Sequence, residues 1–297
     1  MRWRTKAAIQ RGLSHTPGSG RINYLLQTKV THSLPASEET FEEILTTARG
    51  HLAAIEAVLP GDVAELRGYE FGAGWHLGVA IALAGLGVGQ QTLVDRHPLA
   101  APELVEHSLR VLALALPDSK RLREALDAAD VDAALALLGI TYLAPVDARS
   151  TGLERESFDF ITSTSTLEHI PEGELHALLV ECEQLLRPGG VFSAMIDYGD
   201  HYASFDPSIT RLNFLRYSPR RWRIWSPPLQ FQNRLRHADH LARIEQAGFE
   251  PVSVSVVPGT EAELDWLRAH EIDEAFRHLP LEDVSITDAH IVCVRPR

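Results

Sequence analysis

The run Glu70-Phe71-Gly72-Ala73-Gly74 constrains this chain more than any other. It ends a short segment, Glu65 to Phe71, that reads as a β-strand, and it leads into the apolar run Leu77 to Leu86, which reads as a helix. Asp95, about 20 residues past the turn, closes the next strand-like run, Gln91-Thr92-Leu93-Val94-Asp95. Each part has a physical use. Glycines let backbone approach a ligand closely, a helix N-terminus offers free N–H groups to an anion, and an acid at the second strand end can accept both hydroxyls of a ribose. The expected ligand therefore contains an anionic group and a ribose.

The remaining pattern alternates in the same way. Phe41, Ile44, Leu45, Ala48, Leu52, Ile55 and Leu59 fall on one face of a helix over residues 38–59. Residues 99–139 are Leu/Ala-rich and helical, and Thr141 to Asp147 reads as a third strand ending on an acid. Phe158 to Thr162 is a fourth strand, residues 173–186 a helix, and Val191 to Ile196 a fifth strand. Two further β-branched runs, Pro251 to Val257 and Ala289 to Val294, flank a helical segment over 261–275. Strands alternating with helices across short turns predict an α/β fold, a parallel sheet wound on both faces.

Charge and composition narrow the function. With 28 basic and 40 acidic side chains, the formal charge is -12, and such a field repels nucleic acid. Cys182 and Cys293 show neither paired nor zinc-type spacing, which favours a reducing cytoplasm over a disulfide framework. The stretch Leu77 to Val94 is broken by Gly85, Gly87, Gly89 and the pair Gln90-Gln91, so no membrane span is expected. The basic start has no acidic residue before Glu38, a composition shared with transit peptides, yet Ile22 to Gln27 reads instead as an ordered lid.

Glu70 to Gly74 match the Glu/Asp-x-Gly-x-Gly signature of class I S-adenosylmethionine-dependent methyltransferases, and the resemblance continues along the chain. Asp95 matches the ribose acid, Asp147-Ala148 the adenine site, and Phe158-Asp159-Phe160-Ile161 the fourth-strand motif. Leu167-Glu168-His169-Ile170-Pro171 and Leu185-Leu186-Arg187-Pro188-Gly189-Gly190 resemble segments of the small-molecule branch. The resemblance implies a Rossmann-like seven-stranded, mostly parallel sheet with helices on both faces, a closing antiparallel strand and an N-terminal helical lid. It divides the chain into a lid, residues 1–60, and a methyltransferase domain, residues 61–297, with a helical insert at 99–139 and an Arg-rich substrate-side insert at 201–240. S-adenosylmethionine is the implied cofactor and S-adenosylhomocysteine the product. The implied cofactor residues are Glu70, Gly72, Ala73, Gly74, Trp75, Asp95, Arg96, Asp147, Ala148, Ser163, Thr164 and His169. Trp75 departs from the small residue common after the second turn glycine. Its indole either packs over the cofactor's methionine end or fills the helix start.

Methyl transfer from a sulfonium is an in-line displacement that needs alignment, and a base where the acceptor carries a proton. Candidate bases belong on the loops after strands four and five, which singles out His169 and His201, with Asp200 beside the latter. The alternative for His201 is an exposed histidine in a polar loop. Asp197, Tyr198, His201, Tyr202, Arg216, Asn233, Arg234 and the lid's Tyr24 are candidate substrate contacts. Between Pro207 and Arg236 lie seven arginines and no acid, an anomaly in an acidic protein. They either hold an anionic acceptor in guanidinium forks or pair with the protein's own carboxylates. Asp197, Asp200, His201, His237, Asp239 and His240 have no recognised metal-ligand spacing, so no metal is expected. Lid residues 21–27 serve closure, packing or a homodimer contact.

The expected activity is methylation of a small molecule or sugar-containing metabolite, on oxygen, with an anionic acceptor accommodated. Two other readings use the same residues. A non-methylating relative would keep the cofactor for a cyclisation or binding role. A nicotinamide-dependent oxidoreductase would share Gly72, Gly74 and Asp95, but Glu70, the Asp147-Ala148 pair and the lack of a Tyr-x-x-x-Lys dyad oppose it.

Overall fold

The computed structural model describes residues 2–14 and 37–297. Tyr24 and the rest of the expected lid segment, 21–27, lie outside the described residues. Helix α1 (Trp3–Ser14) and helix α2 (Glu38–Val58) precede the sheet. Ser37 caps α2, its hydroxyl accepting from the Thr40 N–H at 3.2 Å. The apolar stripe read from the sequence is the face α2 buries, with Phe41, Ile44, Leu45, Ala48, Ile55 and Leu59 all in the core. This helix lies so close to the sheet that a Cβ at Gly50 would stand 2.7 Å from the Met195 methyl.

The core then runs β1 (Arg67–Phe71), α3 (Gly78–Gly85), β2 (Gln90–Val94), α4 (Pro102–Ala115), α5 (Lys120–Leu126), α6 (Val131–Leu137) and β3 (Ile140–Leu143). It continues through β4 (Phe158–Thr164), α7 (Glu172–Leu185) and β5 (Leu186–Asp197). After the Arg-rich stretch and its helix α8 (Pro219–Trp225) come α9 (His237–Gln246), β6 (Glu250–Val257), α10 (Glu261–Ala269), α11 (Leu281–Ser285) and β7 (Asp288–Val294). The seven strands form one sheet in the order β3-β2-β1-β4-β5-β7-β6. All neighbouring pairs are parallel except those of β7, which runs antiparallel to both β5 and β6. The expected Rossmann-like, mostly parallel sheet with a closing antiparallel strand is therefore present, and strand order reverses between β1 and β4.

Burial explains why these segments read as continuous apolar runs. The first six residues of β4 are buried, as a strand covered on both faces must be. One core joins α2, α3 and α4 to the sheet, with Leu93, Phe160 and Val191 at its base, and a second joins α7 and α9 to the opposite face through Phe192, Ile244 and Ile291. A third, aromatic cluster stands apart, where Trp3 packs with Tyr202, Trp222, Phe214 and Leu215. Thus α1 docks on the Arg-rich insert. Three boundaries differ from the expectation. β3 stops at Leu143, four residues before Asp147, and β5 begins at Leu186, so Arg187-Pro188-Gly189-Gly190 lies within a strand, beside an irregularity in the β4 register. The helical segment expected over 261–275 ends at Ala269. No helix among the described residues is long and apolar enough to cross a membrane.

Candidate active site

The glycine turn leaves β1 at the sheet's carboxyl edge, beside the reversal in strand order where open α/β sheets bind ligands. Gly72 and Gly74 have φ of +73° and +76°, a region that L side chains rarely adopt. A Cβ on Gly72 would also stand 2.6 Å from the Thr166 methyl, whereas one on Gly74 would meet nothing within 4 Å. The first glycine is thus needed for close packing. The second faces open space.

Two carboxylates flank this space. Glu70 is 5 % exposed, and its Oε2 is buried without a hydrogen-bond partner. Burial, with the charge of Asp95 adding to it, pushes its carboxyl up to about 8. Asp95 Oδ2 accepts from the Gly74 N–H at 3.1 Å and from the Tyr142 hydroxyl at 3.2 Å. Burial raises Asp95 to about 6 against the pull of those two donors. Asp95 therefore pins the second half of the glycine turn while remaining at the end of β2. Ala73 and Trp75 are half-buried in the same turn, and the Trp75 carbonyl accepts from the Ala101 N–H at 3.1 Å.

On the other side of β2, the Val146 N–H donates to the Asp95 carbonyl at 2.8 Å, which carries Asp147 and Ala148 to the same edge. Asp147 is clamped by Arg149, with contacts of 2.9 Å and 2.6 Å, and Arg149 also reaches Glu174 at 2.8 Å. The Arg149 hydrogen bonds hold Asp147 down at about 2. Arg96 is largely exposed and 3.8 Å from Glu174. Ser163 is fully buried with an unpartnered hydroxyl, and Thr164 contacts His51 Nε2 at 3.0 Å.

After β4 the chain makes a tight turn, Leu167–His169, held by the insert. Asn233 donates from Nδ2 to the carbonyls of Leu167 at 2.8 Å and Ile170 at 3.0 Å, and its N–H donates to the Glu168 carbonyl at 2.9 Å. His169 Nδ1 lies 2.6 Å from the Phe231 carbonyl, which fixes that nitrogen as the donor. The His169 and His201 rings meet edge to face at 4.9 Å between centroids. His201 Nε2 is 3.3 Å from Asp197 Oδ2, while Asp197 Oδ1 accepts from Arg211 and from the Gly199 N–H. Burial opposes ionisation of Asp197, but His201, Arg211 and the Gly199 N–H outweigh it and hold the group at about 2. Glu168 is 2 % exposed with both carboxylate oxygens unpartnered, and burial drives it well above the usual carboxylate range.

In front of His169 opens a cleft of about 540 Å³, walled by Arg11, Arg96, His97, Arg223 and Phe231 among others. Several residues named from the sequence are spoken for elsewhere. Asp200 is 1 % exposed and accepts from the Tyr202 N–H and from Asn213 Nδ2, both at 3.0 Å; burial lifts it to about 6. The Tyr198 hydroxyl meets His237 Nδ1 at 3.3 Å, and the Tyr202 hydroxyl donates to the Trp225 carbonyl at 2.7 Å. Arg234 is buried and donates to the carbonyls of Phe214 and Tyr217, at 2.9 Å and 2.5 Å. Arg236 is wholly buried and donates to the carbonyls of Tyr198, Val284 and Ile286. Arg211 forks onto Asp197 and Asp288. Arg216 is exposed and stands outside the cleft lining. Of the two readings of the arginines, the buried ones satisfy backbone carbonyls and internal carboxylates. Arg223, with Arg11 from α1, is what reaches the cleft.

A buried histidine network went unread in the sequence. His51 on α2 joins Ser193 at 2.8 Å and Thr164 at 3.0 Å, and Ser193 joins His290 at 2.7 Å. Burial, with His290 nearby, drives His51 down to about 3, so it is neutral in the fold. Nothing local in the sequence signals this network, because its members come from α2, β4, β5 and β7.

Residues 99–194 match the methyltransferase domain family. This segment spans α4 to most of β5, including Asp147, Glu168 and His169, and begins after the glycine turn and Asp95. Similar solved structures include the CurJ carbon methyltransferase (15 % identity, TM-score 0.45, covering 86 % of this chain and 54 % of that one). Others are the [4+2]-cyclase SpnF (17 %, TM-score 0.47, 84 % and 81 %) and a phosphoethanolamine N-methyltransferase of Haemonchus contortus complexed with phosphomonomethylethanolamine and S-adenosylhomocysteine (16 %, TM-score 0.45, 84 % and 53 %). The chain spans about half the length of the first and last of these. No curated protein matches it in sequence.

Proposed function

We propose that the protein is an S-adenosylmethionine-dependent methyltransferase whose acceptor is a small polar or anionic molecule, methylated on oxygen. The observation that carries the reading is the pair Glu70 and Asp95 at adjacent strand ends, around a glycine turn that opens onto free space at Gly74. These residues fit the cofactor. Glu70 brings a buried, unpartnered oxygen suited to a cationic methionine end, and Asp95 stands where a ribose is held. Asp147 and Ala148 extend the same edge toward an adenine. When bound, the cofactor supplies an electrophilic methyl group on a sulfonium. The chain's own part is alignment. Arg96 and His97, which follow Asp95 at the end of β2, line the cleft together with His169, presented by the turn 167–169 that Asn233 clamps.

Arg96 and Arg223 are the cationic anchors for the acceptor's anionic end, the role expected from sequence for Arg216 and Arg234. Arg11 supports them, since it already donates to the Arg223 and Ile224 carbonyls at 3.2 Å and 3.1 Å. Pro227, Pro228 and Phe231 add an apolar wall to the same cleft, fitting an acceptor with an apolar body and an acidic or phosphorylated end. A cytoplasmic setting and a homodimer belong to the same proposal.

Incubation with S-adenosylmethionine and a panel of hydroxylated carboxylates and phosphate esters tests it. Release of S-adenosylhomocysteine is the expected result, with Asp95→Ala weakening cofactor binding at least tenfold, about 1.4 kcal/mol. Tight cofactor binding without turnover on any acceptor favours the non-methylating reading. Unchanged affinity in Asp95→Ala removes β2 from the cofactor site.

A further inference from the structure

Glu168, His169 and His201 present one ligand atom each, and those atoms all lie within 4.8 Å of one another. They reach this point from different loops. Glu168 and His169 sit in the turn after β4, and His201 opens the turn His201–Ser204 after β5, its strand neighbour. Two features mark the cluster as more than proximity. Glu168 is 2 % exposed, yet neither of its carboxylate oxygens has a hydrogen-bond partner, and the buried His201 Nε2 has only the Asp197 carboxylate, at 3.3 Å, beside it. Buried polar atoms are normally satisfied, so two orphaned carboxylate oxygens beside two imidazoles call for a missing partner.

That partner must be positive and must accept lone pairs. His169 Nδ1 is committed to the Phe231 carbonyl, which leaves the Nε2 lone pair to face outward; a backbone carbonyl in this role orients metal-bound imidazoles. Asp197 Oδ2, 3.3 Å from His201 Nε2, adds a second carboxylate at the edge of the set. Two imidazoles and a carboxylate are a borderline donor set, suited to first-row transition ions rather than to Mg²⁺ or Ca²⁺, which favour oxygen alone.

We propose that Glu168, His169 and His201 bind a divalent transition-metal ion such as Zn²⁺, Co²⁺ or Mn²⁺ at the wall of the cleft. Three protein ligands leave further positions open, the arrangement of a catalytic rather than a structural site. Because His169 lines the cleft, an open position faces the acceptor, and the ion orients the acceptor oxygen; this last role rests on the methyl-transfer reading. The sequence points away from a metal because Asp197, Asp200, His201, His237, Asp239 and His240 show no recognised ligand spacing, and Glu168 and His169 stand outside that set. Spacing along the chain says nothing of two loops joined by strand pairing.

The test is titration of chelator-stripped protein with Co²⁺, followed by its visible d–d absorption and by calorimetry, without cofactor. One ion per chain is expected, with Glu168→Gln, His169→Ala and His201→Ala each weakening it at least tenfold. His169→Ala, at a solvent-facing side chain, keeps the test valid should the buried Glu168 substitution prevent folding. Absence of Co²⁺ binding, or equal binding by wild type and both histidine variants, overturns the proposal. Release of S-adenosylhomocysteine without metal binding rejects the metal site and leaves the methyltransferase reading intact. Metal binding without turnover supports the site and counts against methyl transfer.

Discussion

Glu70 makes cofactor affinity depend on pH in a way few surface groups would. Its carboxyl is held at about 8 by burial, so near neutrality it is mostly protonated in the free protein. The proposed ligand end is cationic, carrying an ammonium and a sulfonium, and favours the ionised form. Binding must then expel a proton. With a folded pKa of about 8, the ionised fraction is about 0.01 at pH 6 and about 0.24 at pH 7.5, and apparent affinity scales with that fraction, an increase of about 25-fold or about 2 kcal/mol. This window lies above the value of about 6 for Asp95 and just below the usual α-amino range, so neither contributes most of the slope. The stability of the free protein runs the other way. Between 4.5 and about 8 the folded state keeps a proton that the unfolded state has lost, so stability declines as pH rises. Calorimetry at pH 6.0, 6.5, 7.0 and 7.5, in two buffers of different ionisation enthalpy, should show tightening with pH and about one proton released per cofactor at pH 6.5. Glu70→Gln should bind more weakly at pH 7.5 and lose the slope. A dissociation constant that moves less than threefold across the window, or a Glu70→Gln variant that keeps the wild-type slope, would refute the reasoning.

Arg223→Ala should raise the KM for an anionic acceptor about tenfold, about 1.4 kcal/mol, with little change in cofactor affinity, as steady-state kinetics against an uncharged analogue would reveal. Gly72→Ala combines a positive φ with a 2.6 Å approach to Thr166 and should cost about 2 kcal/mol or more in urea denaturation. Asn233→Leu removes both side-chain donors from the 167–170 turn; kcat should drop at least tenfold while the cofactor dissociation constant holds, and an unchanged kcat would show that the clamp is dispensable.

What the sequence made legible follows from locality. Gly72, Gly74 and Asp95 sit at the junctions of strand, turn and helix, where the backbone itself announces their roles. From sequence Asp147 reads as a strand end, but β3 stops four residues earlier, and the Val146 N–H bonds the Asp95 carbonyl so that the chain follows the sheet edge without joining it. The arginines leave two readings open in the sequence for a different reason. Arg236 finds its carbonyl partners at Tyr198, Val284 and Ile286, 38 to 50 residues away, and composition alone cannot separate such a guanidinium from one that waits for substrate. Nor does any pattern in Trp3 to Ser14 announce that this helix supplies an arginine to the cleft.

The buried arginines also explain why the insert can serve as a wall at all. From Asp206 to Arg236 the chain forms only short helical turns and one seven-residue helix, so many of its carbonyls lack partners from regular structure. Arg234 answers two of those carbonyls, at Phe214 and Tyr217, from inside, while Arg236 reaches the carbonyls of Tyr198, Val284 and Ile286 on the elements beside the insert, so that each planar fork engages two or more at once. Charge buried in this way stays costly unless the surrounding geometry is fixed, which ties the insert to α11 and to the end of β5. The same fixed segment carries Phe231 and Asn233, the two residues that hold His169 and its turn. The position of His169 and its turn after β4 thus rests on a segment that buried arginines hold, none of which lines the cleft in front of His169, whereas the exposed Arg223 does.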